Sequence, residues 1–559
     1  MATAPLSSTD TLLSVVGSAI VVHLIYKKYE SCNMVVGSVM LLGTPLVLSA
    51  LYLPHTTNFL QAALTVLPLF WTSLFTSIVT YRLSPWHPLA NYPGPLLCKV
   101  SQLYVGFRSL GGKQHIYYQQ LHEKYGDYVR VGPNELSIND VNALEPLYGS
   151  NGSAKGQFWD GRIPPKDPVK PLIALRDKTE HTRRRRPWTR GFSTNALKGY
   201  EELVVKRSRQ LVDLLLSKKG VTNLTDYISY FAYDIMSDLA FGGGSDLLAH
   251  GDATGLWHMM EAGQQNAVFM SRVPWLGVLF FRLPFVAGEI KAFRVYARER
   301  AGVRKREGSR YKDIFHHLVD EDGVGTERLT TAEVTSDGGL AIIAGSDTTS
   351  SALTHFFYFL LSSPNAYKRV LAEVDELGDD VLDTSKHARM IYLNAAINET
   401  LRLFPPILSG SHRTEYKGNG GRMLGSHFLP EGNSAFIPSY TIQRDPRNFS
   451  PATDSFYPER WLAEAKRQEL EPKVFNNPLE FIHNSNAFIP FSMGPSNCAG
   501  KNLAYMEMRM VICLILQQVD LKLAEGYNPE QWSADVKDYF ITLKGPLPTV
   551  ITPRKASKI

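Results

Sequence analysis

One cysteine in this chain stands in a setting suited to metal chemistry, the string Phe491-Ser-Met-Gly494-Pro-Ser-Asn-Cys498-Ala-Gly500. A thiolate held against a flat metal cofactor needs a tight turn before it and open space after it. Gly494 permits a turn with positive φ, and Gly500 lets backbone approach a large planar ligand. The following residues, Lys501 to Arg509, read as a helix. Cys498 therefore stands just before a helix N-terminus, where N–H groups and the macrodipole favour thiolate over thiol. A lone cysteine is more often a buried structural residue. Phe491 and the two glycines tip this one toward a metal ligand.

A second group is Ala344-Gly345-Ser346-Asp347-Thr348-Thr349, inside an apolar stretch from Val334 to Leu361 without proline. A helix apolar on most faces is buried. Gly345 costs such a helix about 1 kcal/mol relative to alanine, so its presence asks for a reason. The small pair Ala344-Gly345 leaves room for a diatomic ligand. The Thr348 hydroxyl, four residues on, can bond the Ala344 carbonyl and bend the helix. A third group, Glu399-Thr-Leu-Arg402, places a carboxylate and a guanidinium on one helix face. It ends the helix pattern Met390–Phe404 and precedes Phe456-Tyr-Pro458-Glu-Arg460-Trp.

Together, in this order, these groups resemble the cytochrome P450 family, and the resemblance runs from about residue 86 to the C-terminus. It implies a mainly α fold with a minor β portion, and haem b with its iron ligated by Cys498. It implies that Phe491, Gly494 and Gly500 shape the haem loop and that Ala344 and Gly345 form an oxygen-binding groove. Asp347 and Thr348 are then the catalytic pair, supplying the protons that splitting O2 requires, while the cysteinate supplies electron push. Glu399, Arg402 and Arg460 become a structural lock, a planar charge network suited to burial. Many members carry a basic residue two before the cysteine; this chain has Ser496. By the family's spacing, Arg185 and His181 are the expected propionate partners, and Arg413 is a further one that compensates for Ser496. The pocket is expected around Ala341 and Ala344, Pro406 to Ser409, and Phe540 to Leu543.

The chain as a whole fits. Its 559 residues carry a formal charge of +6 and 44% hydrophobic residues, and Cys32, Cys98, Cys498 and Cys513 show no paired spacing. That pattern argues against a disulfide framework or zinc site. Gly242-Gly-Gly244 lacks the Lys-Ser/Thr of a phosphate loop, and His316-His317 lacks the i,i+4 pair of a helical zinc site. Arg294 to Lys312 is basic but poor in aromatics, so it reads as a solvated face near the membrane or a redox partner, not a nucleic-acid surface. Leu12–Tyr26, Met34–Leu53 and Gln61–Tyr81 are nearly uncharged apolar runs, the last two close to the ~20 residues a bilayer requires. Lys27, Lys28 and Arg82 flank them so as to put the C-terminal body in the cytosol. Pro85 to Pro95 forms a stiff connection that cannot continue a helix.

The expectation is a membrane anchor over 1–84 and a haem-thiolate catalytic domain over 85–559, at the endoplasmic reticulum. The activity is insertion of one atom of O2 into a lipophilic terpenoid, steroid-like or aromatic compound, of the kind met in fungal secondary metabolism. Electrons come from NADPH-cytochrome P450 reductase. Phe269–Val286, with Trp275, Leu276, Phe280, Phe281 and Phe285 and only Arg272 and Arg282 charged, dips into the lipid surface or joins the core. Two alternatives share the fold: a reductase-independent isomerase or dehydratase, and a non-catalytic haem sensor.

Overall fold

The computed structural model describes residues 6–29, 33–163, 169–253, 255–281, 283, 288–308 and 311–554. Cys32, Arg282 and Phe285 lie outside them. Three helical segments open the chain: α1 (Ser8–Tyr29), α2 (Met34–His55) and α3 (Phe59–Leu83), each long and apolar enough to cross a membrane. The first is longer than its apolar run suggests. Small and apolar residues along one line, Ala19 and Val22 on α1, Leu48 on α2, and Ala62, Val66 and Phe70 on α3, bury against each other. The other faces leave Leu13, Val47, Leu64 and Phe75 exposed, as lipid-facing surfaces do.

The C-terminal ends of α1 and α3 both meet the rest of the chain. Lys417 Nζ donates to the carbonyls of Lys27 and Lys28 at 3.0 and 2.8 Å, a cation at a helix C-terminus. Arg130 Nη1 donates to Arg82 O at 3.0 Å. The proline-rich connection is docked, not free: Tyr92 Oη donates to Phe428 O at 2.6 Å and Arg130 N to Pro93 O at 2.7 Å.

The body is mainly helical with small sheets. Strands β1 (Tyr128–Gly132), β2 (Glu135–Ile138) and β3 (Ala154–Lys155) come first, then helices α4 (Lys178–Gly191), α5 (Leu224–Phe241) and α6 (Leu256–Arg272). The long helix α7 (Thr331–Ser362) crosses the core, followed by α8 (Ile391–Leu403), β4 (Arg413–Thr414), β5 (Ser434–Phe436), α9 (Lys501–Gln518), β6 (Lys537–Tyr539) and β7 (Ile541–Leu543). One sheet has the order β1-β2-β5-β4-β3, antiparallel except for the β2–β5 pair. Its register sets Lys155 opposite Arg413.

Helix α7 starts at a capping box: Glu333 N donates to Thr330 Oγ1 at 3.3 Å, and Thr330 N to Glu333 Oε2 at 2.7 Å, satisfying two end donors at once. Its glycines are the close-approach points to α5. A Cβ on Gly338 would come within 2.5 Å of the Phe241 ring, and one on Gly345 would overlap the Met236 side chain. Gly242, the first of the three glycines, ends α5 in the left-handed conformation with φ +70°.

Candidate active site

Helix α9 begins at Lys501 as expected and runs to Gln518, so Ala499 and Gly500 alone separate Cys498 from its first turn. The preceding loop closes on itself through Cys498 N donating to Phe491 O at 3.0 Å. Gly494 has φ +68°, and a Cβ there would collide with Tyr148 O; only glycine fits. Gly500 is different. Its φ is −86°, and a Cβ would meet only Phe192, at 3.5 Å. No protein atom forbids a side chain at that position. The Phe491 ring packs 5.4 Å from that of Tyr505.

Cys498 is exposed by accessible surface yet deeply enclosed by protein. Both hold if its surface opens into an interior space, not bulk water. The helix-terminus effect is present: a hydrogen bond from the Gly500 N–H, with Arg185 and Lys501 nearby, pulls its pKa down. Burial outweighs them and raises the thiol, opposite to the sequence expectation. A bound metal ion would reverse that sign, since a coordinated thiol loses its proton outright.

Beside the cysteine lies a cluster of basic side chains, two of them arginines. Arg185, on α4, donates from Nη1 to Asn497 O at 2.9 Å and from Nη2 to Asn497 Oδ1 at 3.0 Å. Arg413 engages only Nη1, with Ser411 Oγ at 2.8 Å and His412 O at 3.3 Å. Lys155 Nζ donates to Leu172 O at 3.1 Å. His181 makes no side-chain hydrogen bond among the described residues, and burial with Lys155, Arg185 and Arg413 pushes its pKa down to about 3. Burial, Arg413 and Arg185 likewise bring Lys155 down to about 7. None of the four has a carboxylate partner among the described residues. The nearest acid, Asp337, is already held by Arg184 at 2.7 Å and Trp188 Nε1 at 3.3 Å. An uncompensated buried charge cluster is costly and is complementary to a dianionic group. With the thiol beside it, the donor set fits a haem carrying two propionates.

Sequence reading missed Lys155. It lies in a two-residue strand, and the sheet register alone brings it to Arg413.

On α7, Thr348 Oγ1 donates to Ala344 O at 2.6 Å, the expected bond. The helix nonetheless continues unbroken through this point. Ser346 and Asp347 are buried, and Asp347 Oδ2 has no hydrogen-bond partner among the described residues. Burial raises Asp347 to about 7, against a lowering by Lys544 and with a further rise from Glu261. Lys544 Nζ bridges Ser350 Oγ at 3.0 Å and Glu261 Oε1 at 3.3 Å, tying the C-terminal segment to α6 and α7. Gly345 faces Met236, so its missing side chain serves helix packing and not ligand room on that side.

A second buried acid was passed over in the sequence. Glu507 on α9 is pushed up by burial to about 8, against a lowering by the Thr349 side chain, and its Oε1 has no hydrogen-bond partner among the described residues. A lone carboxylate among Met506, Met508 and Met510 was the available signal.

The structural lock forms as expected. Arg402 grips Glu399 through two bonds of 2.8 Å, Trp461 Nε1 donates to Oε2 at 3.0 Å, and Arg460 Nε to Oε1 at 3.4 Å. Arg402 also reaches Gln443 O at 2.9 Å and Thr453 O at 2.6 Å, fixing the segment that leads into the cysteine loop.

Phe540 and Ile541 from the β6–β7 turn, Ile407 after α8, and Ile343 of α7 gather with Phe158 and Trp159 in one apolar cluster. Ala341, expected here, is instead buried in the main core, because helical phase turns it away. Phe158 and Trp159 were not anticipated. In the 269–286 region, Phe269 and Phe281 are buried and Trp275 is half exposed. Arg272 is a core residue, paired with Glu135 at 3.2 Å.

The cytochrome P450 family model matches residues 91–544. The chain is 33% identical to the cytochrome P450 monooxygenase nodW of Hypoxylon pulicicidum, over 81% of each protein. It is 32% identical to the cytochrome P450 monooxygenase orf5 of Eupenicillium brefeldianum, over 87% of this chain and 95% of that one. It is 30% identical to the tryprostatin B 6-hydroxylase of Neosartorya fischeri, over 86% of this chain and 85% of the relative. The relatives are oxidoreductases, and with the cysteine loop, the α7 motif and the charge lock in place, this chain belongs to the cytochrome P450 family.

Proposed function

We propose that the protein inserts one atom of O2 into a lipophilic small molecule, using haem b that the Cys498 thiolate would hold and electrons from NADPH-cytochrome P450 reductase. The observation that carries this reading is the Cys498 thiol opening beside a cation cluster that lacks its anion. Arg185, Arg413, His181 and Lys155 would hold the propionates. The two arginines and Lys155 take over from the base that Ser496 replaces. Gly500 leaves space over the cysteine loop, Gly494 sets its turn, and the Phe491 carbonyl closes the loop by accepting from Cys498 N. When bound, the haem supplies oxygen activation and the electron push of its thiolate.

The chain's own contribution is placement and protons. Ala344 keeps α7 slim beside the reacting centre, Gly345 lets α7 pack closely on α5, and Thr348 stands with its hydroxyl anchored on Ala344 O. Asp347, near 7, and Glu507, near 8, can each carry an exchangeable proton at neutral pH. An acid with its pKa close to the working pH is the efficient donor. Asp347 Oδ2 is the atom from which a proton would pass toward Thr348.

The cluster around Phe158, Trp159, Ile343, Ile407 and Phe540 supports an apolar substrate with aromatic, terpenoid or steroid-like rings. Similarity to a tryprostatin B 6-hydroxylase supports a small-molecule substrate and a place in fungal secondary metabolism. Residues 1–84 act as the anchor and 85–559 as the catalytic domain. Lys27, Lys28 and Arg82 favour a cytosolic body on the endoplasmic reticulum.

The test is expression with a reductase and mass spectrometry of products from lipophilic candidates. Product that depends on NADPH and O2 supports the reading. Product formed without either would favour the reductase-independent isomerase or dehydratase.

A further inference from the structure

Two guanidiniums lie against the apolar cluster beside α7: Arg272, 5.6 Å from the Phe158 ring centre and paired with Glu135, and Arg162. Arg162 ends the short helical turn Gln157–Arg162, and its guanidinium lies 5.3, 5.5 and 5.4 Å from the ring centres of Phe158, Trp159 and Phe540. Three neutral acceptors hold it. Nε donates to Ser271 Oγ at 2.6 Å, Nη1 to Gln264 Oε1 at 3.3 Å, and Nη2 to Tyr539 O at 3.0 Å. A guanidinium has five N–H donors, so two are left over.

Among the described residues Arg162 forms no ion pair, in contrast to its neighbour Arg272, which holds Glu135. The acid whose charge reaches it, Asp538, is buried and already accepts hydrogen bonds from Ser409 Oγ and Phe540 N. Arg162 is only partly buried and keeps accessible surface. Burial and Arg272 draw its pKa down to about 9, against a rise from Asp538. A strut between the turn, α6 and β6 would explain the three bonds. It would not explain a fixed fork with donors to spare in an aromatic cage, which is how arginine recognises a carboxylate.

We propose that Arg162 is the polar anchor of the substrate pocket and takes the carboxylate of an otherwise apolar, ring-containing substrate. The rings of that substrate lie against Phe158, Trp159 and Phe540. This rests on the monooxygenase reading and names its substrate class.

The test uses full-length, haem-loaded protein and three probes of one shape: para-phenylbenzoic acid, para-phenylbenzamide and para-methylbiphenyl. Binding is read by isothermal titration calorimetry and by quenching of tryptophan fluorescence. The acid should bind about 10-fold tighter than the other two, the worth of a hydrogen bond to a charged group. Arg162→Gln should remove that advantage and leave the hydrocarbon's affinity unchanged; Arg162→Lys should restore part of it. An acid that binds no tighter than the amide, or an advantage that survives Arg162→Gln, would overturn the assignment. The acid–amide comparison in the parent needs no variant, so poor folding of Arg162→Gln leaves the test standing. The reduced carbon monoxide spectrum separates the two readings. A thiolate band with no acid preference sinks only the anchor, whereas a missing band sinks the monooxygenase itself.

Discussion

Lys155 and Arg413 stand directly opposite one another in the β3–β4 register, two cations facing across one antiparallel pair. Like charges so placed are destabilising; among the described residues neither is ion-paired, and Asp337 offsets only part of the charge on Lys155. The sheet holds them together at a cost that an arriving dianion would remove. Lys155→Met should therefore speed haem loss to a scavenger such as apomyoglobin by about 10-fold, one charge-assisted hydrogen bond. The haem-free protein should move the other way. Its Lys155 pKa is lowered from 10.5 to about 7, so its stability falls as pH drops from 10.5 to 7 and stays low below that. Lys155→Met should abolish that fall. Unchanged haem loss together with an unchanged pH slope would remove Lys155 from the cofactor site.

Cys498→Ala should abolish the red-shifted Soret band of the reduced carbon monoxide complex. The fold should remain, because the Glu399–Arg402–Arg460 lock lies outside the loop and is untouched. Circular dichroism checks the fold and the carbon monoxide spectrum checks the ligand. A band that survives would assign the sulfur elsewhere.

Much of this site was legible in the chain because its signals are local. The cysteine loop, the Ala344–Thr349 string and the Glu399–Arg402 pair each carry their meaning within a few residues, and each lies on the element expected. What escaped depends on which surfaces meet. Lys155 acquires its neighbours only through strand register. Gly345 was read as room for a ligand, yet the face it presents is set by the α5 crossing at Met236. Ala341 falls in the main core, and Ile343 reaches the apolar cluster, because a helix turns 100° per residue. The thiol's direction of shift was misjudged because burial, which no short motif reports, outweighs the helix terminus.

Thr348→Ala should keep the carbon monoxide band and release more reducing equivalents as hydrogen peroxide. The Thr348 hydroxyl is fixed on Ala344 O at 2.6 Å, so its loss removes a positioned group and leaves the helix ladder intact. A Thr348→Ser variant, which retains the hydroxyl, should recover most of the coupling. Equal peroxide yield in parent and Thr348→Ala would end the proton role.

Asp347 predicts a pH signature of known sign. Its pKa is raised from 3.8 to about 7, so its contribution to stability is fully present below pH 3.8 and is lost as pH rises to 7. Asp347→Asn should flatten that part of the thermal-unfolding profile. The groups that act on it are Lys544 and Glu261, with Tyr233 of α5 close enough to feel its charge. Removing the cation by Lys544→Met should move the transition to higher pH, and Glu261→Gln should move it lower. Shifts in the same direction for both would show that the pair acts on the fold and not on Asp347.

The Gly345–Met236 contact yields a test of what the glycine is for. A Cβ at position 345 would overlap the Sδ, Cε and Cγ atoms of Met236, a side chain only 2% exposed on α5. Methionine is flexible, yet a buried one has little space to retreat into, so Gly345→Ala should cost about 1–3 kcal/mol as an overpacked core. Alanine's better helix propensity offsets only part of that. Met236→Ala alone should also destabilise, by leaving a cavity. If the contact is the reason for the glycine, the double variant should be more stable than the sum of the two singles predicts, by chemical denaturation. If the glycine is instead needed for oxygen, the double variant should remain uncoupled in turnover however stable it becomes. The two outcomes separate because packing is read in the unfolding midpoint and ligand room in peroxide yield.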